Sequence, residues 1–128
     1  MESKILPYKP DIPSARTVLI VDGSSEQMFR LLHGVTDAGW SVLLADSAAA
    51  CITLAAQHKP AAVLLDESLL NVDQWSIAEL VNHVSAKSLV VLVAEEPNNW
   101  RDLPKFVSRV VPRSDPANVI SVLREILV

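Results

Sequence analysis

With 128 residues, half of them hydrophobic and a fifth charged, the chain has a globular composition, long enough for one domain with a real core and too short for two comfortable ones. A net charge of -4 and no Lys/Arg cluster argue against a nucleic-acid surface. The single cysteine, Cys51, excludes a disulfide framework and a Cys-based metal site; no apolar stretch reaches membrane-spanning length and the start lacks a signal-peptide core, so a soluble cytoplasmic protein with no membrane partner is expected.

Residues 1–16 carry Pro7, Pro10 and Pro13 and read as a tail or linker, leaving 17–128 as the domain. Thr17 to Val21 is a short apolar run ending on Asp22, the pattern of a strand buried on both faces. Gly23-Ser24-Ser25 forms a turn, and Met28, Leu31, Leu32 and Val35 then share a helical face until Gly39. Ser41 to Asp46 is a second strand. Ser47 caps a helix whose Ala48, Cys51, Ile52 and Ala55 lie together, and Lys59-Pro60 breaks it.

The third strand, Ala61 to Asp66, organises the chain: five apolar residues stop abruptly on a carboxylate. Gln74 to Lys87 is helical by the spacing of Ile77, Leu80, Val81 and Val84, and Leu89 to Ala94 is a fourth buried strand. Pro97 and Pro104 limit Glu95 to Ser108 to a short or irregular helix. Arg109-Val110-Val111 makes a short fifth strand ending at Pro112, and Ser114 or Asp115 caps a last helix, with Pro116 at its first position, running to Val128.

Five strands alternating with five helical segments predict an α/β fold: one doubly wound, five-stranded parallel sheet of the flavodoxin-like kind, with helices on both faces. Two of its strands deliver Asp22 and Asp66 to the carboxyl edge, where open α/β sheets place their chemistry.

These two acids, the length and the alternation resemble the receiver (CheY-like) domain of two-component response regulators, over about residues 17 to 127. The best local match runs from Val63 to Gln74, like the family's phosphoacceptor strand and following loop, and Asp115-Pro116 with its apolar helix looks like the last turn. The resemblance implies that Asp66 takes a phosphoryl group from a histidine kinase, and that Asp22, Asp66 and the carbonyl of Ser68 are the candidate Mg²⁺ ligands. The chemistry needs such a set because an attacking carboxylate and a phosphoryl group are both negative, and a divalent ion and a cationic side chain offset that charge.

The chain departs from the family pattern at most of these places. Gly23 stands where the second metal-binding acid belongs, Val93 replaces the hydroxyl ending strand four, Pro112 replaces the lysine and Arg109 the aromatic residue of strand five. The resemblance is therefore to a degenerate, pseudo-receiver variant. Two readings of Asp66 follow: a working phosphoacceptor, or a retained acid capping a turn at the sheet edge. For Asp22 the choice lies between a metal ligand and an acid bonded to backbone amides and helix N-termini. Arg113 either replaces the lost lysine through a one-residue slip of the strand or stays solvated beside a turn, which is the expectation carried forward.

The remaining candidates are weaker. Glu95-Glu96 reads as a solvated loop rather than an acid/base pair; His33, His58 and His83 lack ligand spacing. Gly23-Ser24-Ser25 lacks either nucleotide fingerprint, and of Trp40, Trp75 and Trp100 only the last is kept as a contact residue. In the last helix Ile120, Leu127 and Val128 fall outside the inward stripe of Val119, Val122, Leu123 and Ile126, predicting an apolar patch for a partner, an output domain or a second copy.

The function expected is a protein–protein interaction module independent of phosphorylation, with no enzyme activity and no required cofactor, working through strand five (Arg109) and the last helix. The alternatives are a phosphoacceptor at Asp66 with an impaired Mg²⁺ site, and a small-ligand domain using the crevice near Gly23-Ser24.

Overall fold

Short apolar runs and helical spacings assort as the sequence predicts. The computed structural model describes residues 16–69 and 76–127. Its elements are β1 (Thr17–Val21), α1 (Ser25–Asp37), β2 (Ser41–Ala45), α2 (Ala48–His58), β3 (Ala62–Asp66), α3 (Ser76–Val84), β4 (Leu89–Ala94), β5 (Val107–Pro112) and α4 (Pro116–Ile126). All strands are parallel in the order β2-β1-β3-β4-β5, the doubly wound arrangement. Residues 1–15 of the stretch assigned as a tail, residues 70–75 with Trp75, and Val128 lie outside the described residues.

Alternation along the strands sorts the core into two layers. Leu19, Val21, Val63, Leu65, Val90 and Leu92 pack against Cys51 and Ala55 of α2 and Ile77, Ala78 and Val81 of α3. Val18, Ile20, Ala62, Leu64, Val91 and Val93 face Leu31 and Val35 of α1 and Val119 and Leu123 of α4. Each fully buried Val or Leu contributes about 1.5–3 kcal/mol of hydrophobic stabilisation, which is why continuous apolar runs work only in strands covered on both faces. The helix ends follow local chemistry: Ser47 Oγ accepts from the Ala50 N–H at 3.2 Å, and Asp115 Oδ1 from the Asn118 N–H at 3.1 Å, with Pro116 in the first turn.

Between β4 and β5 lies one 3-10 turn, Pro97–Asn99, the short or irregular helix expected, so four α-helices are found among the described residues; two other expectations need correction. Prolines at 97 and 104 deny the segment a continuous hydrogen-bond ladder, and Trp100, Leu103 and Phe106 instead pack directly on the α2/α3 layer. Next, β5 begins at Val107, two residues earlier than the sequence suggests, because a bulge interrupts its alternation: Val90 pairs with Val107 but Val91 with Arg109, leaving Ser108 extra.

Finally, the described part of the apolar excess of α4 is partly covered by the fold. Ile120 and Leu127 are half-buried against the α1/α4 layer, and Ile120 Cδ1 lies 3.6 Å from where a Cβ on Gly34 would stand. Ile120 thus packs over Gly34 of α1, a contact that helical spacing within α4 does not show. Among the described residues the exposed large apolar side chains are Phe29, Leu44 and Leu80, on α1, β2 and α3.

Candidate functional site

Strand alternation places Asp22, Asp66 and Val93 on one side of the sheet. Asp22 continues the face of Val18 and Ile20, and Asp66 that of Ala62 and Leu64, so both acids rise from the α1/α4 layer at the carboxyl edge. Both are buried, at 2% and 3% exposure. Asp22 Oδ1 accepts the Ser24 N–H at 2.7 Å and Asp66 Oδ2 the Ser68 N–H at 2.9 Å. The backbone-amide reading of these acids is the geometry observed. Val93, paired with Asp66 across the β3–β4 ladder, is buried and supplies no donor.

The bulge decides the fate of Arg113. One extra residue in a strand turns the following side chains to opposite faces. Downstream of it Val111 joins the same layer as Asp66, and the Arg113 N–H bonds the Ala94 carbonyl at 2.8 Å. Its guanidinium is then delivered to Asp66: Nε to Oδ1 at 2.9 Å and Nη2 to Oδ2 at 3.2 Å. The expectation of a solvated arginine is overturned: Arg113 is paired with both oxygens of Asp66. Pro112, with no N–H and no charge, is the last residue of β5.

Arg113 also meets Glu95 Oε1 at 3.1 Å and Glu67 Oε2 at 3.4 Å. Burial works against its charge, but the hydrogen bond to Asp66 and the fields of Asp66, Glu67 and Glu95 outweigh that and raise its pKa further. Glu67 accepts the Glu95 N–H at 2.6 Å and the Trp100 indole N–H at 3.1 Å. Sequence reasoning missed Glu67 altogether; Glu95 is exposed, as a solvated loop predicts, while also bonding Arg113, and Trp100, kept there as a contact residue, donates to the Glu67 carboxylate. Arg109, in contrast, lies exposed on β5 and pairs with Glu125 of α4.

Asp22 is the discordant group. Its Oδ2 is buried with no hydrogen-bond partner, and its pKa is raised, first by burial and then by the neighbouring charge of Asp66. An orphaned carboxylate oxygen beside a second acid is what a cation would relieve. A receiver-type magnesium site nevertheless does not fit: Gly23 offers no carboxylate, both Asp66 oxygens are engaged by Arg113, and no group of three His, Cys, Asp or Glu among the described residues is placed to hold a metal. A cleft of about 340 Å³, lined by Arg16, Gly39, Trp40, Arg124 and Leu127 among others, lies at the other end of the sheet, away from Gly23-Ser24.

Solved structures share this fold. The CheY-like receiver domain from Methanospirillum hungatei superposes with a TM-score of 0.74 at 15% identity, covering 88% of this chain and 93% of that one. The fold is that of a response-regulator receiver domain. A receiver protein from Sinorhizobium medicae gives a TM-score of 0.72 at 20% identity over 89% of this chain and 95% of its own. A response regulator from Burkholderia pseudomallei, solved with a phosphorylated aspartic acid, a calcium ion and citrate, gives 0.67 at 18% identity, over 84% and 64% of the two chains. No family model and no curated protein matches the sequence. No helix among the described residues is long and apolar enough to cross a membrane.

Proposed function

We propose that this chain is a pseudo-receiver of two-component-type signalling: a receiver-fold module that binds protein partners without a phosphoryl switch. The observation that carries this reading is the fork of Arg113 on both oxygens of Asp66. A carboxylate attacks phosphorus through a lone pair on an accessible oxygen, and catalysis of this transfer consists almost wholly of positioning and charge neutralisation. Here a side-chain cation already neutralises Asp66, Gly23 leaves Asp22 without the adjoining acid of a metal site, and Val93 offers no hydroxyl to hold a transferred phosphoryl. The partner contacts are assigned to β5 and α4, with a partner protein, an output domain or a second copy as occupant. Their exposed members include the Arg109–Glu125 pair rather than an apolar patch.

The competing reading, a phosphoacceptor with an impaired metal site, draws on the phosphorylated aspartic acid of the Burkholderia relative. Intact mass after incubation with acetyl phosphate and Mg²⁺, wild type beside Asp66→Asn, separates the two. The pseudo-receiver acquires no adduct. A phosphoryl adduct on the wild type alone restores phosphoacceptor chemistry.

A further inference from the structure

The segment between β4 and β5 has little of its own to hold it in place. Its internal backbone bonds are those of the 3-10 turn, from Asn99 to Glu96 and from Trp100 to Pro97, both 3.0 Å. A stretch without a helical ladder keeps its position only through the contacts it makes outward. Its apolar contacts are those of Trp100, Leu103 and Phe106 with the α2/α3 layer, and two of its polar contacts meet on one side chain. Glu67, the residue after Asp66, takes the Glu95 N–H on Oε2 and the Trp100 indole N–H on Oε1, so the start and the end of residues 95–100 are tied to the same carboxylate. Arg113 closes the network from the other side, bonding Glu67, Glu95 and Asp66 together.

Exposure tells which of these contacts matter. Exposed ion pairs contribute little, and Glu95 is 76% exposed in its pair with Arg113. Glu67 and Arg113 are only 24% and 18% exposed, where charge-assisted hydrogen bonds are stronger and an unpaired group costs more. The backbone N–H of Glu95 and the indole of Trp100 would lose their acceptor if Glu67 were neutral and apolar.

We propose that Glu67, braced by Arg113, is a built-in clamp that holds residues 95–100 against the carboxyl edge of the sheet with no phosphoryl group present, fixing the surface between β4 and β5 in one state. The clamp rests on the pseudo-receiver reading only in taking phosphorylation as dispensable; its contacts stand by themselves. Glu67 is a positioning residue, and its removal frees the segment while leaving Asp66 and its arginine in place.

Hydrogen–deuterium exchange of the whole chain, followed by mass spectrometry, tests this with Glu67→Gln. Glutamine keeps the volume but puts an NH₂ donor where N–H donors now point, so it satisfies at most one side of the clamp. The expected result is exchange of residues 95–100 about tenfold faster than in the wild type, with β3 and β4 unchanged. Trp100→Phe, which removes only the indole donor, is the second variant, with an expected increase of about threefold at the same residues. The Trp100 indole N–H, identified in nitrogen-15 spectra by its loss in that variant, is expected to exchange faster in Glu67→Gln as well. Unchanged exchange in both variants overturns the clamp. An adduct on Asp66 with acetyl phosphate, together with the Glu67→Gln effect, retires the phosphorylation-independent reading and leaves the clamp standing.

Discussion

Arg113 and Asp66 form a two-point ion pair across the carboxyl edge, Nε to Oδ1 at 2.9 Å and Nη2 to Oδ2 at 3.2 Å. The pair joins residues 47 positions apart and is mostly shielded, with 18% and 3% of the two side chains exposed. Removing one member of a buried pair leaves the other charged and unpaired, which costs far more than the pair contributes net. Arg113→Ala is therefore expected to destabilise by about 3 kcal/mol, read as a fall in urea midpoint at unchanged slope. Arg113→Lys keeps the charge and loses the planar fork, so it should fall between the two.

Asp22 carries a pH dependence of definite sign. Its pKa is raised in the fold above the ordinary 3.8, mainly by burial and secondarily by Asp66. Below the ordinary value both folded and unfolded chains hold the proton and the site has no net effect. As pH rises through the raised folded value, the buried charge lowers stability. Asp22→Asn, which keeps an acceptor for Ser24 and removes the charge, is expected to stabilise by about 1 kcal/mol at pH 7. That advantage should disappear when denaturation is measured below the ordinary carboxylate range.

Gly34 lies inside α1 beneath Ile120, where an added Cβ would meet Ile120 Cδ1 at 3.6 Å and Cγ1 at 3.7 Å. Those are ordinary contact distances. Gly34→Ala should then gain the usual helix-interior difference, about 0.5–1 kcal/mol, and raise the melting temperature by a few degrees. Loss of stability instead would mean that α1 and α4 are packed too tightly for one methyl group.

Cys51 is fully buried, and burial pushes its thiol up to about 11. The thiolate is the reactive form, so a thiol reagent at pH 8 should leave the native protein unmodified and label it at one site after unfolding in urea. Labelling of the native protein would place Cys51 outside the α2/α3 layer.

Most of the fold was legible because the strands are short, continuous and apolar: Thr17 to Val21, Ala61 to Asp66 and Leu89 to Ala94 each announced a strand covered on both faces. The carboxyl-edge placement of Asp22 and Asp66 followed from where those runs stop. What stayed hidden depends on geometry that composition does not encode. The bulge at Ser108 is invisible in a sequence that shows only Val107, Val110 and Val111, and it alone turns Arg113 from solvent to Asp66. The Glu67 contacts join residues 28 and 33 positions apart, beyond any local spacing rule. Likewise the packing of Ile120 over Gly34 joins α4 to α1, which the spacing within α4 alone does not show.

The central claim is that Arg113 keeps Asp66 out of phosphoryl chemistry, so that this receiver fold shows partners the same surface whatever the phosphodonor supply. Its most direct test is the nitrogen-15 spectrum of the wild type, titrated with Mg²⁺ and then with beryllofluoride, a phosphoryl mimic. The account predicts no saturable shift at the Ser24 and Ser68 amides or the Trp100 indole. A saturable, magnesium-dependent shift at these positions, abolished in Asp66→Asn, would contradict it.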